Sequence, residues 1–143
     1  MSGISWKTDV GVNHVGAYQV SGRPFAKADL TAPASGSAPL KVEFPKVTRW
    51  FQIIPHNNSG TKVDLRVGFS ENGATSGSAY FKLHARNTDT YHPRYELKVS
   101  ELYFMSDSAT TVSFDIVAGL TNIGTEKLDT SLGTNWSGSV GVG

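Results

Sequence analysis

The amino-acid sequence predicts an all-β fold, an antiparallel β-sandwich with extended terminal arms, on three observations. Apolar residues recur at every second position and hardly anywhere at helical spacing, the pattern of strands with one face in a core and the other in water. The alternating runs are short, and Gly, Pro, Asn and Ser collect between them as they do in turns. Finally, 143 residues of which 38% are hydrophobic, with 15 Gly and 6 Pro, suit one domain with many reversals. About six to eight strands on this spacing fit a jelly-roll or an immunoglobulin-like topology equally, so the strand order stays open.

Composition divides the chain into an N-terminal arm at 1–13, a sandwich domain at 14–120 and a Gly/Ser/Thr-rich C-terminal arm at 121–143. Within the sandwich the first clear alternation sets Leu40, Val42 and Phe44 against Lys41 and Glu43. Residues 48–54 are denser, with Trp50, Phe51, Ile53 and Ile54 almost continuous, which predicts a central strand covered on both faces. In 62–70, Val63, Leu65, Val67 and Phe69 share one face while Lys62, Asp64 and Arg66 take the other. Phe81, Leu83 and Ala85 alternate with Lys82, His84 and Arg86. Tyr95, Leu97 and Val99 are in phase, but Leu102 and Phe104 take the opposite parity, so near Ser100 or Glu101 a residue is inserted or the chain changes sheet. Val112, Phe114, Ile116 and Ala118 complete the series.

Turns are expected at 33–39, at 55–60 and at Asn72-Gly73, a pair that tolerates positive φ and predicts a reversal. Parity nominates a core of Leu40, Val42, Phe44, Trp50, Ile53, Val63, Leu65, Val67, Phe69, Leu83, Leu97, Val99, Phe114 and Ile116. The arms hold isolated large apolar residues in polar, flexible sequence. Trp6, Leu128, Leu132 and Trp136 are therefore the candidate partner-binding residues, anchors of segments that order on docking, either on their own domain or on a neighbouring subunit.

Little points to chemistry. Thirteen Lys and Arg against twelve Asp and Glu leave a formal charge of +1, which argues against direct nucleic-acid binding. Without cysteine there is no disulfide, thiolate metal site or thiol nucleophile. His14, His56, His84 and His92 lack the spacing of metal ligands, and no acid sits at a familiar offset, so no metal and no cofactor are expected. There is no G-x-S-x-G elbow, phosphate loop or EF-hand pattern, and Glu96, Glu101, Asp107 and Asp115 fall where alternation or a turn places exposed acids. The expectation is a protein that is not an enzyme. The first seven residues lack a signal-peptide run and nowhere do eighteen apolar residues follow one another, so no membrane segment is predicted and synthesis and folding in a cytoplasm are expected. Asn57-Asn58-Ser59 and Asn135-Trp136-Ser137 match the glycosylation acceptor pattern, which carries no weight without a secretion signal. Tyr18, Tyr80, Tyr91 and Tyr95, near turns or strand ends, keep a carbohydrate-binding sandwich open as an alternative.

The segments VNHVGAYQVSGRPF (12–25), FPKVTRWFQIIPHNNSGTKVDLRVGFSENG (44–73) and ELKVSELYFMSDSATTVSFDIVAGLTNI (96–123) resemble small virion structural proteins of tailed bacteriophages. The resemblance spans most of the chain and rests on the order of β-strand blocks and the style of their linkers. It implies a capsid decoration or cement protein, located in the virion, that partners the major capsid protein and copies of itself. A tail or neck protein is the alternative within the same group; a host surface glycan is a candidate partner on the separate ground of the tyrosines.

Overall fold

The computed structural model describes residues 22–56, 63–84, 92–131 and 133–143, so the expectations for Trp6 and the rest of the N-terminal arm, His14 and Leu132 lie outside the described residues. In chain order the elements are β1 (Arg23–Ala32), β2 (Leu40–Glu43), β3 (Thr48–Pro55), β4 (Asp64–Gly68), the short helix α1 (Glu71–Thr75), β5 (Tyr80–His84), β6 (Glu101–Ser106) and β7 (Val112–Leu120). A small hairpin of β8 (Asp129–Thr130) and β9 (Gly133–Thr134) follows. As the alternation predicts, the architecture is all-β: one antiparallel sheet runs β1-β7-β3, the other β2-β6-β4-β5, and the two pack face to face.

The core lies between the sheets. Phe51, Ile53, Phe114, Ile116 and Ala118 point inward from the first, and Val42, Leu65, Val67, Leu102 and Phe104 meet them from the second. Phe104 and Phe114 approach ring to ring at 4.4 Å between centroids, joining the middles of the two sheets. Most of the nominated core is buried, but Leu97 is 41% exposed and Trp50, Leu40 and Phe69 are only partly buried. Parity missed Val47, Phe51, Leu102, Met105 and Ile123, each essentially without exposure.

The central strand is β7, not residues 48–54. The register between β3 and β7 slips between Thr48 and Trp50 and is regular from there on; the run looks two-faced because its outer face also carries apolar residues. Phe51 and Ile53 enter the core, while Trp50 and Ile54 stand on the outer face opposite Gly119 and Asp115. The far edge of β3 carries only a short border, in which Phe51 and Tyr95 exchange backbone hydrogen bonds.

That border explains the parity switch: the chain changes sheet. The Val99 carbonyl accepts from the Thr48 N–H, the Ser100 carbonyl accepts from the Phe44 N–H, and one residue later β6 begins between β2 and β4. Asn72-Gly73 does not form a positive-φ reversal. It lies inside α1, whose N-terminus is capped by the Ser70 hydroxyl accepting from the Gly73 N–H at 2.9 Å. Gly73 is required for another reason, since a Cβ there would sit 2.3 Å from the Val142 carbonyl oxygen.

Candidate functional site

Of the anchors predicted in the C-terminal arm, Leu128 and Trp136 pack against their own domain. Directly after β7, Thr121 donates its N–H and its hydroxyl to the Val47 carbonyl at 2.8 and 2.7 Å, and Val47 donates its N–H to the Ile123 carbonyl at 3.0 Å. Val47, Ile123 and Leu128 form a second small core, with Leu128 only 3% exposed, and Trp136 is half-buried between this cluster and the main one. The Trp136 indole N–H reaches the Phe69 carbonyl at 3.4 Å. Farther along, Ser70 donates its hydroxyl to the Val142 carbonyl at 2.6 Å, while Val140 is fully exposed. Thr121, Ile123, Leu128 and Trp136 thus complete the domain rather than project from it.

With those side chains committed, exposed apolar surface gathers around β3. Among the described residues the large hydrophobics left open are Ile54, Leu97 and Val140, of which Ile54 lies on β3 and Leu97 on its border. Trp50, also on the outer face of β3, has the Arg94 guanidinium 5.4 Å above its ring. Arg94 pairs with Glu96 at 3.0 Å, and Arg49 pairs with the other oxygen of the same carboxylate. An indole, two exposed aliphatic side chains and paired charges on and beside one strand are residue types that protein interfaces use.

On the opposite sheet the charges are spent internally. Asp107 binds Arg66 at 2.6 Å and Lys82 at 2.8 Å, and these two cations hold its carboxyl below the usual carboxylate range, Lys82 having the larger effect. Lys41 lies between Glu43 at 2.8 Å and Glu101 at 2.9 Å, whose hydrogen bonds push its ammonium pKa upward. Beside it, Lys41, Phe69, Glu71, Asn72, Glu101 and Tyr103 help line a polar cavity of about 360 Å3.

The histidines differ from one another in a way their spacing did not reveal. His84, on the polar face of β5, hydrogen-bonds Asp64 at 2.7 Å, and His92 is 8% exposed, its pKa lowered by burial. His56, just beyond β3, faces two carboxylates, Asp115 and Asp29, at 3.0 and 3.9 Å. The acids come from distant strands, so no offset along the chain announces them.

No family model, curated protein or solved structure matches this chain. Among the described residues no helix is long and apolar enough to cross a membrane.

Proposed function

We propose that this chain is a non-enzymatic structural protein of a virion, a capsid decoration protein that binds and stabilises neighbouring capsid subunits. The observation that carries the reading is the exposed and half-buried apolar side chains on and beside β3, Trp50 and Ile54 on its outer face and Leu97 on its border, with the paired charges of Arg49, Arg94 and Glu96 near Trp50. A stable sandwich whose C-terminal segment is folded onto itself presents this patch as a ready-made contact for the major capsid protein or for another copy of the chain. The resemblance to small tailed-phage virion proteins supplies the partner class.

The test is binding of the purified chain to empty phage shells, with Ile54→Glu and Trp50→Ala as variants. Both are expected to keep the melting temperature within a few degrees and to lose shell binding. Retained binding in both overturns the assignment of the patch. Copy number relative to the major capsid protein separates head from tail or neck, with hundreds expected for a head protein and a few for a neck component. The carbohydrate-binding alternative is favoured by one feature, the polar cavity beside Phe69 and Tyr103, which pairs aromatic rings with Glu101 and Asn72. A glycan-array signal abolished by Tyr103→Ala would favour that reading over the structural one.

A further inference from the structure

Each strand of the β1-β7-β3 sheet delivers one donor to the same spot on its outer face. Asp115 projects outward from the middle of β7, and His56 follows the last residue of β3, tied in place by its own N–H donating to the Ser113 carbonyl at 2.7 Å. Asp29 arrives through an irregularity in β1: pairing with β7 slips between Lys27 and Leu30, and Asp29 takes φ 55. Its N–H then donates to Asp115 Oδ1 at 2.9 Å, so the bulge sets its carboxylate beside that of Asp115. His56 Nε2 lies 3.0 Å from Asp115 Oδ1 and Nδ1 lies 3.9 Å from Asp29 Oδ1. One ligand atom from each residue lies within 4.8 Å of the other two.

We propose that Asp29, His56 and Asp115 form a binding site for a divalent transition-metal ion of the Zn2+ type, with one coordination position left open. Hydrogen bonding within the cluster leaves part of it unexplained. The Asp29 carboxylate is beyond hydrogen-bond distance of the imidazole. Among the described residues, no lysine or arginine pairs with either aspartate. Two carboxylates beside one imidazole therefore carry a net negative charge even when the imidazole is protonated, and a dication offsets it directly.

The geometry is close to what such an ion needs. Ligands about 2.1 Å from a tetrahedral centre stand roughly 3.4 Å apart; His56 Nε2 and Asp115 Oδ1 are near that spacing at 3.0 Å, and the Asp29 carboxylate, which faces the other ring nitrogen, has an 87% exposed side chain free to turn toward them. An imidazole with two carboxylates is a borderline donor set that favours zinc-like ions over calcium or magnesium, which take oxygen alone. The Asp29 N–H on Asp115 and the Ser113 carbonyl on the His56 backbone orient the ligands, the supporting role usual around metal centres. Three protein ligands on an open face leave the fourth place for water or for a donor from a neighbouring molecule.

The test is calorimetric titration of the untagged full chain with ZnCl2 and, separately, CaCl2, with the histidine imidazoles followed by NMR. One Zn2+ per chain is expected, with the His56 resonances shifting, those of His84 unmoved, and no saturable calcium binding. Asp115→Asn and His56→Ala are each expected to weaken Zn2+ binding by about tenfold or more, whereas His84→Ala leaves it unchanged. Absence of stoichiometric binding, or binding that survives both Asp115→Asn and His56→Ala, overturns the proposal and leaves a hydrogen-bonded cluster only. Saturable calcium binding overturns the assignment of the ion. Asp115→Asn keeps size and shape on an outer face, so it decides the matter if His56→Ala folds poorly.

Discussion

One hydroxyl governs how the chain passes from the border of β3 into the second sheet. Thr48, fully buried, donates its Oγ1 proton to the Leu97 carbonyl at 2.7 Å and accepts from the Val99 N–H at 2.9 Å. Thr48→Val keeps the shape and orphans both backbone groups, so a loss of about 2 kcal/mol or more is expected from urea unfolding. Leu65 and Phe114 are buried completely, one in each sheet, and their replacement by Ala is expected to cost about 2 to 5 kcal/mol each by the same measurement. Alternation found both because each sits on a regular strand with a single wet face. It misplaced Leu97, which has the right parity, because residues 96–100 form a border rather than a strand within a sheet. It also passed over Phe51, because with Trp50 and Ile54 apolar on the outer face the run 50–54 shows no clean alternation.

Among the elements, the outer row of the second sheet carries an acid-sensitive link. Arg66 and Lys82 are directly opposed on β4 and β5, and both reach Asp107 just beyond β6, so one carboxylate ties three strands. Its pKa is lower folded than unfolded. The stabilisation is therefore complete above the unfolded carboxyl value of about 4 and is lost as pH falls through the lower folded value. The stability difference between the parent and Asp107→Asn is expected to be constant from neutral pH down to about 5 and to shrink below it, which urea melts across pH will read. The C-terminal segment gives a second expectation: ending the chain after Ile123 removes Leu128 and Trp136, uncovers Val47 and the Phe69 side of the core, and lowers the melting temperature of the isolated protein. An unchanged melting temperature would contradict this packing. Sequence composition marked the segment as one that docks, since its large apolar residues exceed what a loose tail holds. Its site of docking was illegible because the recipients, Val47 and Phe69, look like ordinary strand-end residues. The Asp29, His56 and Asp115 cluster was illegible for a related reason: register, not spacing, makes it.

For the whole molecule, the strand order matters more than the strand count. Within the two packed sheets, among the described residues, only β4 and β5 are both hydrogen-bonded and consecutive; every other pairing there joins strands that are not neighbours in the chain, so slow folding, in the millisecond to second range, is in keeping with the topology. The prediction of two packed antiparallel sheets needed only the period of the apolar residues. The order of strands did not follow from it, because parity says which face is wet and nothing about which edge finds which partner. The position of β7 bears on how the protein is made. β1 and β3 hydrogen-bond to β7 and not to each other, and β7 spans Val112–Leu120, late in a chain of 143 residues. During synthesis the first and third strands emerge well before the element that joins them, with their hydrogen-bonding edges unsatisfied in the interval. Ribosome-stalled chains ending near residue 110 are accordingly expected to be cut rapidly within residues 23–55 by added protease, and chains extended until 112–120 have cleared the ribosome to become resistant there. Equal protection before and after that point would mean that some other partner holds β1 and β3 while the nascent chain waits for its central strand.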